Sequence, residues 1–152
     1  MVVAKSGTDI VSLVELENEI AQNYSNTEHG ILHLTEDAVH FPSGRAELST
    51  DEVGKLTRIR EVLSRVLPCY AAQAPADLDC EPRKAGKLES VFVEGHTDNV
   101  PYGRGGRFDD NWDLSAQRAM FTYRTMIVGE ERLAHLENMD GFPVFSVSGY
   151  GE

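Results

Sequence analysis

An α/β fold is predicted by three segments whose hydrophobic periods alternate along the chain. Leu88-Glu89-Ser90-Val91-Phe92-Val93-Glu94 alternates apolar and polar side chains, the period of a strand. On either side of it, Ser49 to Leu67 and Asn111 to Ile127 repeat apolar residues at helical spacing. With a short strand at Ile31-Leu32-His33-Leu34 and a closing strand around Ser146, the order from residue 30 reads β-α-β-α-β, with a further helix before it.

That first helix is predicted over Asp9 to Tyr24, where Ile10, Leu13, Leu16 or Glu17, Ile20 and Tyr24 fall near heptad spacing and Glu15, Glu17 and Glu19 take other faces. A polar turn over Asn26 to Gly30 leads into the strand at Ile31. Ser49-Thr50-Asp51-Glu52 then forms a capping box, with Ser49 as the cap and Glu52 three residues on. It opens a helix whose stripe is Val53, Leu56, Ile59, Leu63 and Val66 or Leu67, and Pro68 ends it. Cys69 to Gly86 is rich in Ala, Pro and Asp and reads as an inserted loop before the strand at Leu88.

Asp98 should sit just beyond the carboxyl end of that strand, where open α/β sheets commonly place binding residues. Asp110 or Asn111 caps the following helix, Asp113 favours the positive end of its dipole, and Trp112, Ala116, Ala119, Met120, Tyr123 and Ile127 are expected on its apolar face. Arg118 lies about two turns in, roughly 10 Å along the axis, and its long side chain can reach back toward the loop. An acid and an arginine converging on one mouth suit a zwitterion, with Asp98 accepting from an ammonium and the Arg118 fork binding a carboxylate.

Composition bounds the function. The 152 residues, 41% of them hydrophobic, give one domain with a real core. Lys and Arg number 14 against 25 Asp and Glu, a formal charge of −11. This balance argues against nonspecific nucleic-acid binding, which needs a basic footprint. It also means that attachment to any anionic polymer depends on a specific pocket, because bulk electrostatics oppose it. No apolar run has the length of a signal peptide or membrane span.

Gly95-His96-Thr97-Asp98, followed by Asn111-Trp112-Asp113-Leu114-Ser115-Ala116-Gln117-Arg118-Ala119, resembles the OmpA C-terminal-like family, the peptidoglycan-associating domain of OmpA, Pal and MotB. The family pattern reads G-H-T-D, a variable loop, then N-x-x-L-S-x-x-R-A. The earlier Phe41-Pro42-Ser43-Gly44-Arg45-Ala46-Glu47-Leu48 is similar to the family's F-x-S-G-x-A-x-L stretch. The resemblance runs from about residue 29 to the end and implies an OmpA-C-like two-layer sandwich, a mixed β-sheet with helices on one face. It divides the chain into a linker helix at 1–27 and a peptidoglycan-binding domain at 28–152.

The function so implied is noncovalent binding of the diaminopimelate residue of the wall stem peptide, with no enzymatic activity and no cofactor or metal. The family's acid falls on Asp98, its arginine on Arg118 and its loop asparagine on Asn111; Thr97 and Leu114 line the same site. The long loop Val100 to Asp110 and the N-W-x-L-S helix start are closer to MotB-like proteins, a group that includes ZorB of the Zorya anti-phage system. That branch implies a stator subunit in the periplasm, tethered to the inner membrane by an amino-terminal transmembrane helix absent from this chain. Its partners would be peptidoglycan, a second copy of itself through the first helix, and a MotA-like channel subunit, with no nucleic acid. The family pattern continues beyond Ser146-Val147-Ser148-Gly149-Tyr150-Gly151-Glu152, so the carboxyl-terminal end is expected to be truncated. A periplasmic location favours a Cys69–Cys80 disulfide, worth roughly 2 to 3 kcal/mol by chain entropy.

Rival chemistries are weaker. His96 and Asp98 with Asp109, Asp110 and Asp113 are the residues from which the metal site of a periplasmic hydrolase could be assembled, but no second His or Cys stands at ligand spacing. Gly103-Arg104-Gly105-Gly106-Arg107 lacks the Lys-Ser/Thr of a phosphate-binding loop and reads as a mobile rim, from which Arg104 or Arg107 adds a contact to glycan or stem peptide. Ser115 lies inside a helix with no general base nearby in sequence, so its role is expected to be structural. The alternative within the same fold is a structural outer-membrane or lipoprotein anchor.

Overall fold

The computed structural model describes residues 2–3, 30–34, 39–98, 100–101 and 106–151. The helix expected over Asp9 to Tyr24, and Arg104, lie outside them. The elements are β1 (Val2–Val3), β2 (Gly30–Leu34), α1 (Thr50–Val66), β3 (Leu88–Gly95), α2 (Asn111–Met126), a single turn α3 (Glu131–Ala134) and β4 (Phe145–Gly149). From β2 onward this is the expected β-α-β-α-β order, with α3 as an addition that the sequence reading missed.

The strands form one sheet in the order β1-β2-β3-β4. All three pairings are parallel; from β2 to β3 and from β3 to β4 the chain crosses over through a helix, which parallel neighbours require. The antiparallel pairing implied by a mixed sheet is confined, among the described residues, to an isolated bridge between Glu137 and Pro143. In β3, Val91, Val93 and Gly95 are buried, whereas Ser90, Phe92 and Glu94 are half-buried. Val91 and Val93 join Leu56, Ile59, Val62 and Leu63 of α1 and Met126 of α2 in one core, so both helices cover the same face. No helix among the described residues is long and apolar enough to cross a membrane.

The helix caps follow the sequence with one difference. Ser49 accepts from the Glu52 amide at 3.3 Å, but the Glu52 carboxylate does not close the box; it accepts from the His40 amide at 2.9 Å and from Lys55 at 2.8 Å. Glu52 therefore ties the segment before α1 to the helix start. Helix α1 ends where Pro68 permits only a single 3-10 turn, Leu67–Cys69.

Two expectations are corrected. The inserted segment from Cys69 carries a 3-10 turn at Pro82–Lys84 and belongs in part to the core: Tyr70 and Ala71 are buried there, and the Tyr70 carbonyl accepts from the Leu88 amide at 2.8 Å. Cys69 and Cys80 are bonded, with Cα atoms 5.3 Å apart. The apolar face of α2 is also corrected in part: Ala119 and Ile127 are buried and Tyr123 packs against the core as expected, but the first turns are phased differently. Trp112 is 63% exposed and Ala116 is exposed; the buried positions are Leu114, Ser115, Arg118, Ala119 and Met126.

Glycine explains the altered phase. Gly95 and Gly149 are register partners at the ends of β3 and β4. A Cβ on Gly95 would lie 2.0 Å from the Ser115 carbonyl oxygen, and one on Gly149 would lie 2.5 Å from the Ala116 amide nitrogen. The backbone of α2 thus rests directly on the sheet in its second and third turns, at Ser115, Ala116 and Ala119, and small Ser115 faces the contact where a large apolar residue would hold the helix away.

Candidate functional site

The carboxyl ends of β3 and β4, the start of α2 and the 40–48 segment meet at one end of the sheet. Arg118 is the residue that joins them. Although only 4% exposed, it donates from Nε to the Arg45 carbonyl at 2.9 Å, from Nη1 to the His96 carbonyl at 2.9 Å and from Nη2 to the Pro42 carbonyl at 3.2 Å. The Phe41 ring lies 5.2 Å from the guanidinium carbon and meets Phe121 edge-on at 6.4 Å. A planar fork can satisfy three carbonyls from two segments at once, which a lysine cannot.

The Arg118 contact to His96 brings the arginine's charge to the chain just before Thr97 and Asp98. Asp98 is exposed. Thr97 is 8% exposed, and its hydroxyl is buried without a hydrogen-bond partner among the described residues. A hydroxyl in that state costs about 1 to 3 kcal/mol, which a polar ligand group reaching it would recover.

The start of α2 closes the other side. Asp110 caps it, accepting from the Asp113 amide at 2.9 Å, and the Asp113 carboxylate accepts in return from the Asp109 amide at 3.3 Å. Asn111 donates from Nδ2 to the Val100 carbonyl at 3.2 Å, pinning the chain just after Asp98. Leu114 is buried with Ala46 and Phe108 in a small second core, separate from the main one. The expected site residues Thr97, Asp98, Asn111, Leu114 and Arg118 thus stand around one sheet end, in different states. Asp98 is open to solvent, Thr97, Leu114 and Arg118 are buried, and Asn111 holds the backbone.

Arg107 stands exposed at the rim. It forms an ion pair with Glu47, and its guanidinium carbon stands 5.8 Å from the Phe108 ring centre. It ties the long loop to the 40–48 segment, so its charge is directed to a rim contact within the chain. His96 takes a structural place at the end of β3. Its carbonyl serves Arg118, and its ring stacks on Tyr150 at 5.0 Å with the planes 8° apart. Ser115 donates to the Trp112 carbonyl and accepts from the Gly151 amide, each at 2.9 Å, so it stitches the chain after β4 to α2.

Among the described residues, no group of three or more His, Cys, Asp or Glu is placed to hold a metal ion. The sequence reading missed the role of the Gly149-Tyr150-Gly151 segment as a wall of this end. The signal was present in the alternate glycines, which permit close approach to a helix, but they named no partner.

No protein-family model matches the chain. It is similar to motility protein B of Bacillus subtilis (strain 168), 26% identical over 126 residues that cover 83% of this chain and 37% of that protein. It is also similar to motility protein B of Escherichia coli (strain K12), 28% identical over 130 residues that cover 78% of this chain and 41% of that protein. The matched region spans about two-fifths of the length of these relatives.

Proposed function

We propose that this chain binds peptidoglycan noncovalently through the diaminopimelate residue of the stem peptide. It would thereby anchor a MotB-like stator subunit of an ion-driven membrane motor, flagellar or of the Zorya anti-phage type, to the cell wall. The observation that carries the reading is the Arg118 contact to the His96 carbonyl at 2.9 Å, which sets a buried guanidinium beside the chain leading to exposed Asp98. Similarity to motility protein B supports it.

In this reading Asp98 accepts from the ligand ammonium, the carbonyl-held Arg118 fork favours its carboxylate, and the Thr97 hydroxyl gains a partner. Asn111 and Leu114 hold the two sides of the mouth. The domain works in the periplasm as part of a homodimer, beside a MotA-like channel subunit, with a transmembrane helix in the amino-terminal part of the whole protein. It is a binding module and performs no bond-breaking step.

Cosedimentation with purified sacculi tests the assignment. Asp98→Asn keeps the shape of an exposed side chain and removes the charge, so the protein should stay folded and lose most of its sedimentation with the wall. Wild-type levels of sedimentation by folded Asp98→Asn protein would sink the pocket assignment.

A further inference from the structure

The only tryptophan of the chain stands on the surface at the end of the sheet that carries Asp98, with 63% of its area exposed. Its position is fixed from below. A Cβ on Gly151 would lie 2.7, 2.9 and 3.0 Å from Cδ2, Cε2 and Cγ of Trp112. Three atoms of the five-membered ring at nearly equal distances mean that the Gly151 backbone approaches over the ring face. Gly151 has a φ of +71°, so both its conformation and the space above it favour glycine. Ser115 holds the arrangement by accepting from the Gly151 amide and donating to the Trp112 carbonyl.

The indole is therefore supported on one face and open on the other. Exposed Ala116, four residues on, leaves low ground beside it along α2. Tyr150, 40% exposed, completes the surroundings, with its ring stacked on His96 and its hydroxyl donating to Glu94 at 2.9 Å. A buttressed aromatic face next to small and polar side chains matches the apolar C–H face of a pyranose ring. An N-acetylated amino sugar carries no charge there, and so is not repelled by a chain of net charge −11.

We infer that the open face of Trp112 is a stacking platform for a sugar ring of the glycan strand, a second subsite beside the stem-peptide mouth. Trp112 neighbours Asn111 and shares the first turn of α2 with Leu114, two residues of that mouth, so one wall fragment can span both. This inference rests on the reading of the Asp98 mouth as a wall-binding site, and it adds the sugar as the group recognised next to the peptide.

Because Trp112 is the sole tryptophan, its emission reports the subsite directly. Peptide-free glycan strands, prepared by amidase treatment of sacculi and offered at about 0.15 M salt to screen the lactyl carboxylates that cleavage exposes, should shift and quench the emission of the wild type and of Asp98→Asn alike. Trp112→Leu, which retains an apolar exposed side chain, should bind sacculi about three- to tenfold more weakly, the scale of one aromatic stacking contact, and Trp112→Phe should recover much of the loss. Gly151→Ala, which pushes the ring from its support, should weaken binding with the tryptophan still present. Unchanged emission on addition of peptide-free strands, or equal sacculus binding by wild type and Trp112→Leu, overturns the platform. A diaminopimelate-containing tetrapeptide, bound by Trp112→Leu and lost by Asp98→Asn, separates failure of the platform from failure of the stem-peptide mouth.

Discussion

Arg118 shows how one side chain can serve both architecture and recognition. Its three carbonyl contacts link the 40–48 segment, the end of β3 and helix α2, so the mouth exists only while the fork is in place. Arg118→Lys keeps the charge but not the planar set of donors, and should lower unfolding free energy by about 1 to 3 kcal/mol in denaturant titration. Glu52 gives a second test at this scale. Burial pushes its carboxyl up, but the Lys55 ammonium and the His40 amide outweigh that and hold it below the usual glutamate range. A depressed folded value means that the stabilisation is complete above the unfolded pKa, about 4.3, and is lost as pH falls through the folded value. Wild type should therefore exceed Glu52→Gln in melting temperature at pH 6 and lose that margin on acidification below about pH 4. An unchanged margin at low pH would contradict the assignment.

At the scale of elements, the contact between α2 and the sheet is set by what is missing from two strands. The paired glycines Gly95 and Gly149 let the helix backbone descend onto β3 and β4, and this descent carries Arg118 down to the carbonyls that hold it. Gly95→Ala places a methyl group against helix backbone that cannot move without displacing α2. It should destabilise the fold by about 3 kcal/mol or more, beyond the usual cost of an added core methyl, and Gly149→Ala should follow it closely. Melting of the two variants by circular dichroism checks this, and near-wild-type stability in both would remove the close-approach argument. The same contact explains why helical periodicity found α2 but misjudged the face of its first turns. Ala119, Tyr123 and Ile127 do face the core, but Trp112 and Ala116 continue that stripe only when hydrophobicity alone is counted; where the helix rests on glycines it buries Leu114, Ser115 and Arg118 instead.

For the whole molecule, charge decides how attachment to a wall can work. A net charge of −11 opposes approach to an anionic polymer, leaving affinity to a local pocket. Raising salt from about 0.01 M to 0.15 M shortens the screening length from about 30 Å to 8 Å, and so relieves the general repulsion more than contacts inside the mouth. Sacculus binding should hold or rise over that range. A steep fall with salt would show attraction through a basic surface and contradict the pocket.

The sequence by itself determined the β-α-β-α-β order from β2 onward, the Ser49 cap of α1, the stop at Pro68 and the cluster of polar residues after β3, and it narrowed the cap of α2 to Asp110 or Asn111. Each of these is local: a period, a capping side chain or a ring that forbids the next turn acts over a few residues. Other features waited on tertiary structure because they depend on residues far apart in the chain. The Glu47–Arg107 tie, the burial of Tyr70 and Ala71, the carbonyl cage of Arg118 and the seat of Trp112 on Gly151 each join segments that no local pattern relates. Packing decided them, since a glycine pair sets how closely a helix approaches a sheet, and that distance fixes which side chains are buried and which remain open to a ligand.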